Sequence, residues 1–169
     1  MAPSLKVLFL CTHNACRSIL AEAIGRDLVA RQALNTHVAQ WQFASAGSDP
    51  AGVVHPQTLF QLARRGYRTE GLSSKSWDLV ADFVPDLVIT VCDNAAGETC
   101  PLWLGETLKL HWGLPDPTST TFADMDMQFT RVISTLENRI NALISLPLSA
   151  DIDARKASLQ LIASQFPLI

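Results

Sequence analysis

The apolar residues of this chain form two kinds of pattern along its length. Continuous runs of about four to eight residues are typical of strands buried on both faces of a sheet, whereas a stripe with helical spacing is typical of an amphipathic helix. The runs predict four strands, at residues 6–10, 38–46, 86–92 and 107–112. The stripes and the turn residues around them predict helices at 18–33, 55–66, 78–83, 129–144 and 151–166.

The order of these elements favours an α/β fold. The succession strand, helix, strand, helix, strand, strand, helix is typical of an open parallel sheet with helices on both faces. We therefore expect a single domain over residues 1–169, with a four-stranded parallel sheet inside a core of about 5–146. A helical extension is expected at about 150–169.

Reactive side chains follow the ends of the predicted strands. Cys11, Cys92 and the segment that ends in Asp116 all lie just beyond such an end. Ligands of open α/β sheets bind beyond the carboxyl ends of the strands. We therefore expect these three stretches to meet at one edge of the sheet.

The composition agrees with a folded domain and argues against two classes of partner. The chain has 169 residues, 48% of them hydrophobic, and a net charge of -3, so it has no basic character suited to nucleic acid. No apolar run approaches the roughly 18 residues that span a bilayer. The run at 5–11 is too short for the core of a signal peptide, and polar Thr12, His13 and Asn14 follow it. We expect a cytoplasmic protein that binds neither nucleic acid nor membranes.

The segment 11–18, with the sequence CTHNACRS, lies between a predicted strand and a predicted helix. A loop of this kind, closed by a helix N-terminus, directs backbone N–H groups at a tetrahedral oxyanion. Arg17 can add a two-pronged contact, and the positive field is expected to lower the pKa of the Cys11 thiol. The alternative is a buried strand-end cysteine and a surface arginine with no shared task. The expected oxyanion-binding residues are Cys11, Thr12, His13, Asn14, Ala15, Cys16 and Arg17.

Two further cysteines and one aspartate are candidates for chemistry. Cys92 and Cys100 have seven residues between them. The pair has four interpretations: a redox relay, a fixed disulfide, a zinc site or two buried thiols. The spacing disfavours zinc, and the expected thiolate nearby favours the relay. Asp116 lies between two prolines, so it is held extended and is either a general acid or a loop cap.

These motifs resemble a known family. The CTHNACRS loop and the downstream pair Asp116-Pro117 resemble the signature of low-molecular-weight protein tyrosine phosphatases. With Cys92, Cys100 and the segment HWGLPDP at 111–117, the chain is more similar to the arsenate reductases built on that phosphatase fold. The resemblance runs from about residue 6 to 144 and implies the same fold.

The resemblance implies a role for each residue of the loop. Arsenate, or phosphate or sulfate as an analogue, docks on the loop amides and Arg17. Cys11 attacks arsenic while Asp116 protonates the departing oxygen. Ser18 hydrogen-bonds the thiolate, and Asn14 holds the shape of the loop.

The resemblance also implies a relay of disulfides and an external partner. Cys92 attacks Cys11 and releases arsenite, and Cys100 then attacks Cys92 and frees Cys11. Thioredoxin, or glutathione with glutaredoxin, reduces the final disulfide. The gap between Cys92 and Cys100 is about one residue longer than in thioredoxin-coupled relatives, which leaves the choice of reductant open.

Other functions stay open on the sequence. A low-molecular-weight protein tyrosine phosphatase, or a phosphatase of small aryl phosphates, would use Cys11, Arg17 and Asp116 alone. The phosphatases carry a tyrosine pair after the aspartate–proline dipeptide, whereas this chain has only one tyrosine, Tyr67, which argues against phosphotyrosine. A non-catalytic redox or anion sensor is the third alternative.

Some members of the family bind potassium near the loop. Residues of this chain fall at positions resembling those ligands, namely Asn14, Glu22, Ser45 and Asp78. Each also has an ordinary structural interpretation, as a loop, surface-helix, strand-end or helix-cap residue.

Overall fold

Four parallel strands form the centre of the computed structural model, which describes residues 5–32, 41–92, 107–146 and 156–168. The strands lie in the order β2-β1-β3-β4 and are β1 Leu5–Cys11, β2 Trp41–Gly47, β3 Leu87–Thr90 and β4 Leu108–His111. The α-helices are α1 Arg17–Arg31, α2 Pro56–Arg64, α3 Phe122–Ile144 and α4 Lys156–Gln165. Two 3-10 helices span Trp77–Phe83 and Pro117–Ser119. The predicted α/β fold with a four-stranded parallel sheet is confirmed.

The sheet buries both of its faces against different elements. Val7 and Phe9 of β1 belong to the larger core, with the apolar faces of α1 and α3. Leu8 and Leu10 belong to a smaller cluster, against which Trp77 of the first 3-10 helix packs. Because neighbouring strand residues point to opposite faces, the continuous apolar run of β1 is what a central strand requires.

The ends of some elements differ from the predicted ones. β3 is shorter than predicted at both ends, and just before its start the Asp86 carboxylate accepts a hydrogen bond from the Lys6 backbone N–H. Helix α3 begins seven residues before its buried stripe, at Phe122, which is 82% exposed. The hydrophobic pattern marks only the buried turns of this helix, so it missed the first two.

The last helix packs on the core. Leu159 and Ile162 of α4 are buried with the larger core, and the Arg139 Nε of α3 donates to the Phe166 carbonyl at 2.8 Å. The predicted start of this helix, at 151–155, lies outside the described residues, as do 38–40 of the second predicted strand. Among the helices that the structure describes, none is both long and apolar enough to cross a membrane.

Candidate active site

The loop between β1 and α1 is held open by a second loop. The backbone N–H groups of Asp49, Ala51 and His55 donate to the carbonyls of residues 12, 13 and 15, at 2.9–3.0 Å. In a planar trans peptide the N–H points opposite to the carbonyl, so the amides of 13, 14 and 16 point away from the second loop. The loop therefore has the geometry of an anion-binding nest.

Two local features make this loop shape attainable. Asn14 has a left-handed backbone with φ 47°, which asparagine tolerates better than most residues. Gly47, opposite Cys11 in the register of β1 and β2, passes so close to the loop that a Cβ there would lie 2.5 Å from the Thr12 carbonyl oxygen. Sequence reasoning missed the need for glycine at 47, because the close approach joins residues far apart in the chain.

The Cys11 thiol lies at the floor of this loop. Its Sγ is 2.8 Å from Ser18 Oγ and accepts a hydrogen bond from the Asn14 backbone N–H at 3.3 Å. Cys11 is buried, and this burial raises the pKa of its thiol. The hydrogen bonds from Ser18 and Asn14 lower the pKa but are outweighed. The prediction of a lowered pKa is therefore wrong in its net direction, although the stabilising contacts that it assumed are present.

Arg17 and Asp116 face each other across the entrance. Arg17 is the first residue of α1, and its Nη1 donates to the Leu114 carbonyl at 3.0 Å, which ties it to the Asp116 loop. Its Nη2 lies 3.9 Å from Asp116 Oδ2. The other carboxylate oxygen, Oδ1, accepts from the backbone N–H of Thr118 at 2.9 Å and from its hydroxyl at 2.7 Å. Asp116 thus caps a 3-10 helix with one oxygen, as the cap interpretation predicts, and presents the other to Arg17. Its role as a general acid stays a prediction.

Cys92 lies beside the same loop. Cys92 lies two residues beyond the end of β3 and is 3% exposed. Its Sγ is 3.7 Å from the Thr12 Oγ1. The backbone N–H of Val91 donates to Leu10, which places the end of β3 next to the end of β1. The expectation that Cys11, Cys92 and Asp116 share one edge agrees with this geometry. Cys100, the third cysteine of the predicted relay, lies outside the described residues.

A cavity of about 180 Å³ opens at this edge, between the loop and Asp116. Its lining residues are Cys11, His13, Ala15, Cys16, Arg17, Ala51, His55, Asp116 and Thr118. His55 was predicted only as the start of the helix at 55–66. It caps α2, because its Nδ1 accepts from the Gln57 N–H, and it also lines the cavity. The hydrogen bond from the His55 backbone N–H to the Ala15 carbonyl joins segments far apart in the chain. The sequence around His55 therefore could not predict that this residue lines the cavity.

Cys16 lines the same cavity, and its thiol has a hydrogen bond with the Thr58 side chain but none with Ser18 or Asn14. Burial raises the pKa of Cys16 to about 12. Cys11 is the better candidate nucleophile of the two, because Ser18 and the Asn14 N–H are placed to stabilise its thiolate by hydrogen bonding.

A protein-family model matches most of the chain. The model for low molecular weight phosphotyrosine protein phosphatase matches residues 6–157. The chain belongs to this phosphatase family. Within it, the arsenate reductase of Shouchella clausii is 31% identical over 139 residues, which cover 79% of this chain and 91% of the relative.

Several solved structures of similar fold are described as arsenate reductases. One, described as an arsenate reductase in the phosphate binding state, is 26% identical with a TM-score of 0.65, covering 83% of this chain and 97% of that one. A thioredoxin-dependent arsenate reductase from Corynebacterium glutamicum is 28% identical with a TM-score of 0.61, covering 83% of this chain and 60% of that one. The resemblance predicted from the sequence, to the phosphatase family and its arsenate reductases, is confirmed.

Three of the four residues predicted to bind potassium form a network that already contains two cationic side chains. Asn14 Nδ2 donates to Ser45 Oγ at 3.0 Å, and the Ser45 hydroxyl donates to Glu22 Oε1 at 2.5 Å. Lys75 Nζ lies 3.6 Å from that Glu22 oxygen, and Arg26 Nη1 donates to the other at 3.0 Å. The Glu22 carboxylate is thus neutralised twice by side chains of the chain itself.

The fourth predicted ligand is not part of this network. Asp78 is exposed at the start of the first 3-10 helix, and within the described residues no hydrogen bond or ion pair joins it to Asn14, Glu22 or Ser45. Asn14 Oδ1, the amide oxygen that could bind a cation, accepts instead from the Lys75 backbone N–H at 2.9 Å. This arrangement does not suit a potassium ion, because the ion would lie beside an ammonium group.

Proposed function

We propose that this protein reduces arsenate to arsenite with electrons from its own thiols. The observation that carries the proposal is a second buried thiol, Cys92, beside the oxyanion loop that contains Cys11. Hydrolysis of a phosphate ester needs one attacking thiol and water, whereas reduction needs a second thiol to discharge the first. The arsenate reductases among its relatives support the same choice.

The first step is nucleophilic attack on arsenic(V). The oxyanion binds to the loop amides and Arg17, and the Cys11 thiolate forms a sulfur–arsenic bond. One arsenate oxygen leaves as water, with a proton supplied by Asp116. Ser18 and the Asn14 amide stabilise the thiolate by hydrogen bonding, which counters the effect of burial on its pKa.

The second step moves two electrons to arsenic. The Cys92 thiolate attacks Cys11 Sγ, a disulfide forms, and the electron pair of the sulfur–arsenic bond passes to arsenic, which leaves as arsenite. Each of the two sulfurs is oxidised by one electron, and arsenic(V) becomes arsenic(III). Thr12, whose hydroxyl is near Cys92 Sγ, is the loop residue placed to orient that thiol.

The third step regenerates Cys11 and needs an external reductant. The Cys100 thiolate attacks Cys92, so that Cys11 leaves as thiolate and a Cys92–Cys100 disulfide remains. A dithiol protein of the thioredoxin type, or glutathione with glutaredoxin, then reduces that disulfide. The thioredoxin-dependent relative supports the first of these reductants. Such a cycle requires a reducing compartment, and we propose the cytoplasm.

Phosphatase activity is the second candidate function. Its supporting observation is that Cys11, Arg17 and Asp116 line one cavity, which is the set that ester hydrolysis would use. In a phosphatase, Cys92 and Cys100 would be dispensable for turnover and would only protect Cys11 by a reversible disulfide.

A single-turnover experiment tests the proposed function. Fully reduced protein is mixed with arsenate under argon, arsenite is quantified, and disulfides are mapped by mass spectrometry after an acid quench. We expect about one arsenite per protein and a Cys92–Cys100 disulfide, since the cycle consumes two thiols per arsenite. No arsenite and four free thiols would contradict the proposal.

Cysteine variants separate the two candidate functions. Cys92→Ser and Cys100→Ser should each abolish repeated turnover of arsenate if the relay operates, whereas a phosphatase would retain its hydrolysis of aryl phosphates. Cys16→Ser is the matched control, because it removes a buried thiol of the same cavity through which no proposed step passes. We expect the Cys92–Cys100 disulfide to form in Cys16→Ser after one turnover, because the backbone N–H of residue 16 is kept.

A further inference from the structure

Two imidazole rings line the cavity from opposite loops, His13 and His55. Each has one nitrogen engaged by the backbone. The Nδ1 of His13 is 3.0 Å from the Asp49 carbonyl oxygen, and the Nδ1 of His55 accepts from the Gln57 N–H at 3.1 Å. A carbonyl oxygen only accepts and an amide N–H only donates, so these two contacts fix opposite tautomers in the neutral rings.

The remaining nitrogens therefore differ in chemistry. His13 carries its hydrogen on Nδ1, which leaves a lone pair on Nε2, an acceptor. His55 carries a lone pair on Nδ1, which leaves the hydrogen on Nε2, a donor. Within the described residues, neither Nε2 forms a hydrogen bond or ion pair. Besides the Asp116 carboxylate, Arg17 and the loop amides, the cavity thus contains one imidazole acceptor and one imidazole donor.

Tetrahedral oxyanions differ in whether they can use an acceptor. In slightly alkaline solution hydrogenarsenate and hydrogenphosphate carry two negative charges and one O–H, whereas sulfate has the same shape and charge but no hydrogen. A nest made only of donors binds all three. A fixed acceptor binds the O–H of hydrogenarsenate and hydrogenphosphate. Against sulfate the same lone pair faces a charged oxygen, and this repulsion lowers the affinity for sulfate.

We propose that His13 and His55 are specificity-determining residues that select an oxyanion still carrying one proton. His13 Nε2 accepts from the oxyanion O–H, and His55 Nε2–H donates to one of its charged oxygens. The inference rests on the proposed function, because it deepens the choice of substrate at the same site. It concerns binding alone and requires no redox step.

Asparagine substitutions test each ring while keeping its backbone contact. In His13→Asn the side-chain amide reaches the position of Nδ1 and can donate to the Asp49 carbonyl, but the distal acceptor is lost. In His55→Asn the side-chain oxygen can accept from the Gln57 N–H, and asparagine is a favoured N-cap residue, but the distal donor is lost. Thermal unfolding of both variants without anion checks that the fold is kept.

The experiment is calorimetric titration with inorganic phosphate and with sulfate at about pH 8, where hydrogenphosphate is the main phosphate species. We expect the unmodified protein to bind phosphate about tenfold or more tightly than sulfate. His13→Asn should weaken phosphate binding by about tenfold and leave sulfate binding no weaker, so that the preference disappears. His55→Asn should weaken both anions by about tenfold and keep their ratio.

Three results would overturn the inference: equal affinities of the unmodified protein for the two anions, no binding of either, or an unchanged ratio in His13→Asn. The titration involves no arsenate and no thiol oxidation. Absence of arsenite in the single-turnover experiment, together with the expected phosphate preference, would therefore reject the proposed reduction and leave the selection of a protonated oxyanion standing.

Discussion

Asn14 Nδ2 donates a hydrogen bond to Ser18 Oγ at 2.7 Å and so occupies one lone pair of that oxygen. The Ser18 hydroxyl hydrogen is left to bind Cys11 Sγ, 2.8 Å away, which only accepts once it is a thiolate. The amide is oriented in turn by the Lys75 backbone N–H, which donates to Asn14 Oδ1. A buried amide outside the cavity lining thus sets the contact that stabilises the candidate nucleophile.

Removing the Ser18 hydroxyl should make the Cys11 thiol less reactive. Burial raises the pKa of Cys11 and the Ser18 hydrogen bond lowers it, so Ser18→Ala should raise it further and shift the pH profile of alkylation to higher pH. At a fixed pH near neutrality we expect the rate with iodoacetamide to fall about tenfold, as for a lost hydrogen bond to a charged group. Peptide mapping identifies the alkylated cysteine.

The control for this measurement is Ser45→Ala. It removes another partner of the Asn14 amide but leaves Ser18 beside Cys11. An equal loss of reactivity in both variants would show that loosening of the loop, and not the Ser18 hydroxyl, governs Cys11.

Replacing Asp116 by asparagine should remove a proton donor without removing the cap. The asparagine oxygen can still accept from the Thr118 backbone N–H and hydroxyl, as Asp116 Oδ1 does. We expect the single-turnover rate of arsenite release to fall by about 10²-fold or more, the usual contribution of a general acid. Rapid-quench kinetics measure it, and an unchanged rate would assign Asp116 to capping alone. The control is Thr118→Val, which removes the hydroxyl that binds Asp116 but keeps the Asp116 carboxyl. Its rate of arsenite release should fall much less.

A methyl group at Gly47 should push the loop out of shape. Its Cβ would lie 2.5 Å from the Thr12 carbonyl oxygen and 3.0 Å from Asn14 Cβ, so backbone atoms have to move. We expect Gly47→Ala to lose about 1–3 kcal/mol of unfolding free energy, the usual effect of overpacking, together with phosphate affinity. Urea unfolding and calorimetry test both, with Ser48→Ala as the neighbouring control. Full stability with unchanged phosphate binding would show that the backbone around Gly47 accommodates a methyl group without cost.

Exchange of sodium for potassium should leave the stability of the unmodified protein unchanged. Lys75 and Arg26 already neutralise Glu22, so the network has no charge left for a cation to satisfy. Thermal unfolding in KCl and in NaCl at equal ionic strength measures this. A melting temperature that rises only in KCl would reinstate the potassium site. Lys75→Met is the companion variant, since it removes the ammonium group that competes with an ion.

Much of the fold follows from local pattern. The unbroken apolar run of β1, the stripe of α3 and the turn residues between elements depend on neighbours in the chain, and these features predicted the parallel sheet. The CTHNACRS loop could be recognised for the same reason, because its chemistry lies within eight consecutive residues. Helix ends were less predictable, since the first turns of α3 are mostly exposed, with Phe122 82% exposed, and the prediction followed only the buried stripe.

What the sequence by itself determined is therefore the order of the elements and the candidate chemistry at Cys11, Arg17 and Asp116. Only the tertiary structure decided that His55 lines the cavity and that the Lys75 ammonium lies beside Glu22. It also decided the direction of the Cys11 pKa, because burial and hydrogen bonding oppose each other there and their balance depends on packing. These properties come from contacts between residues far apart in the chain, which no local pattern encodes.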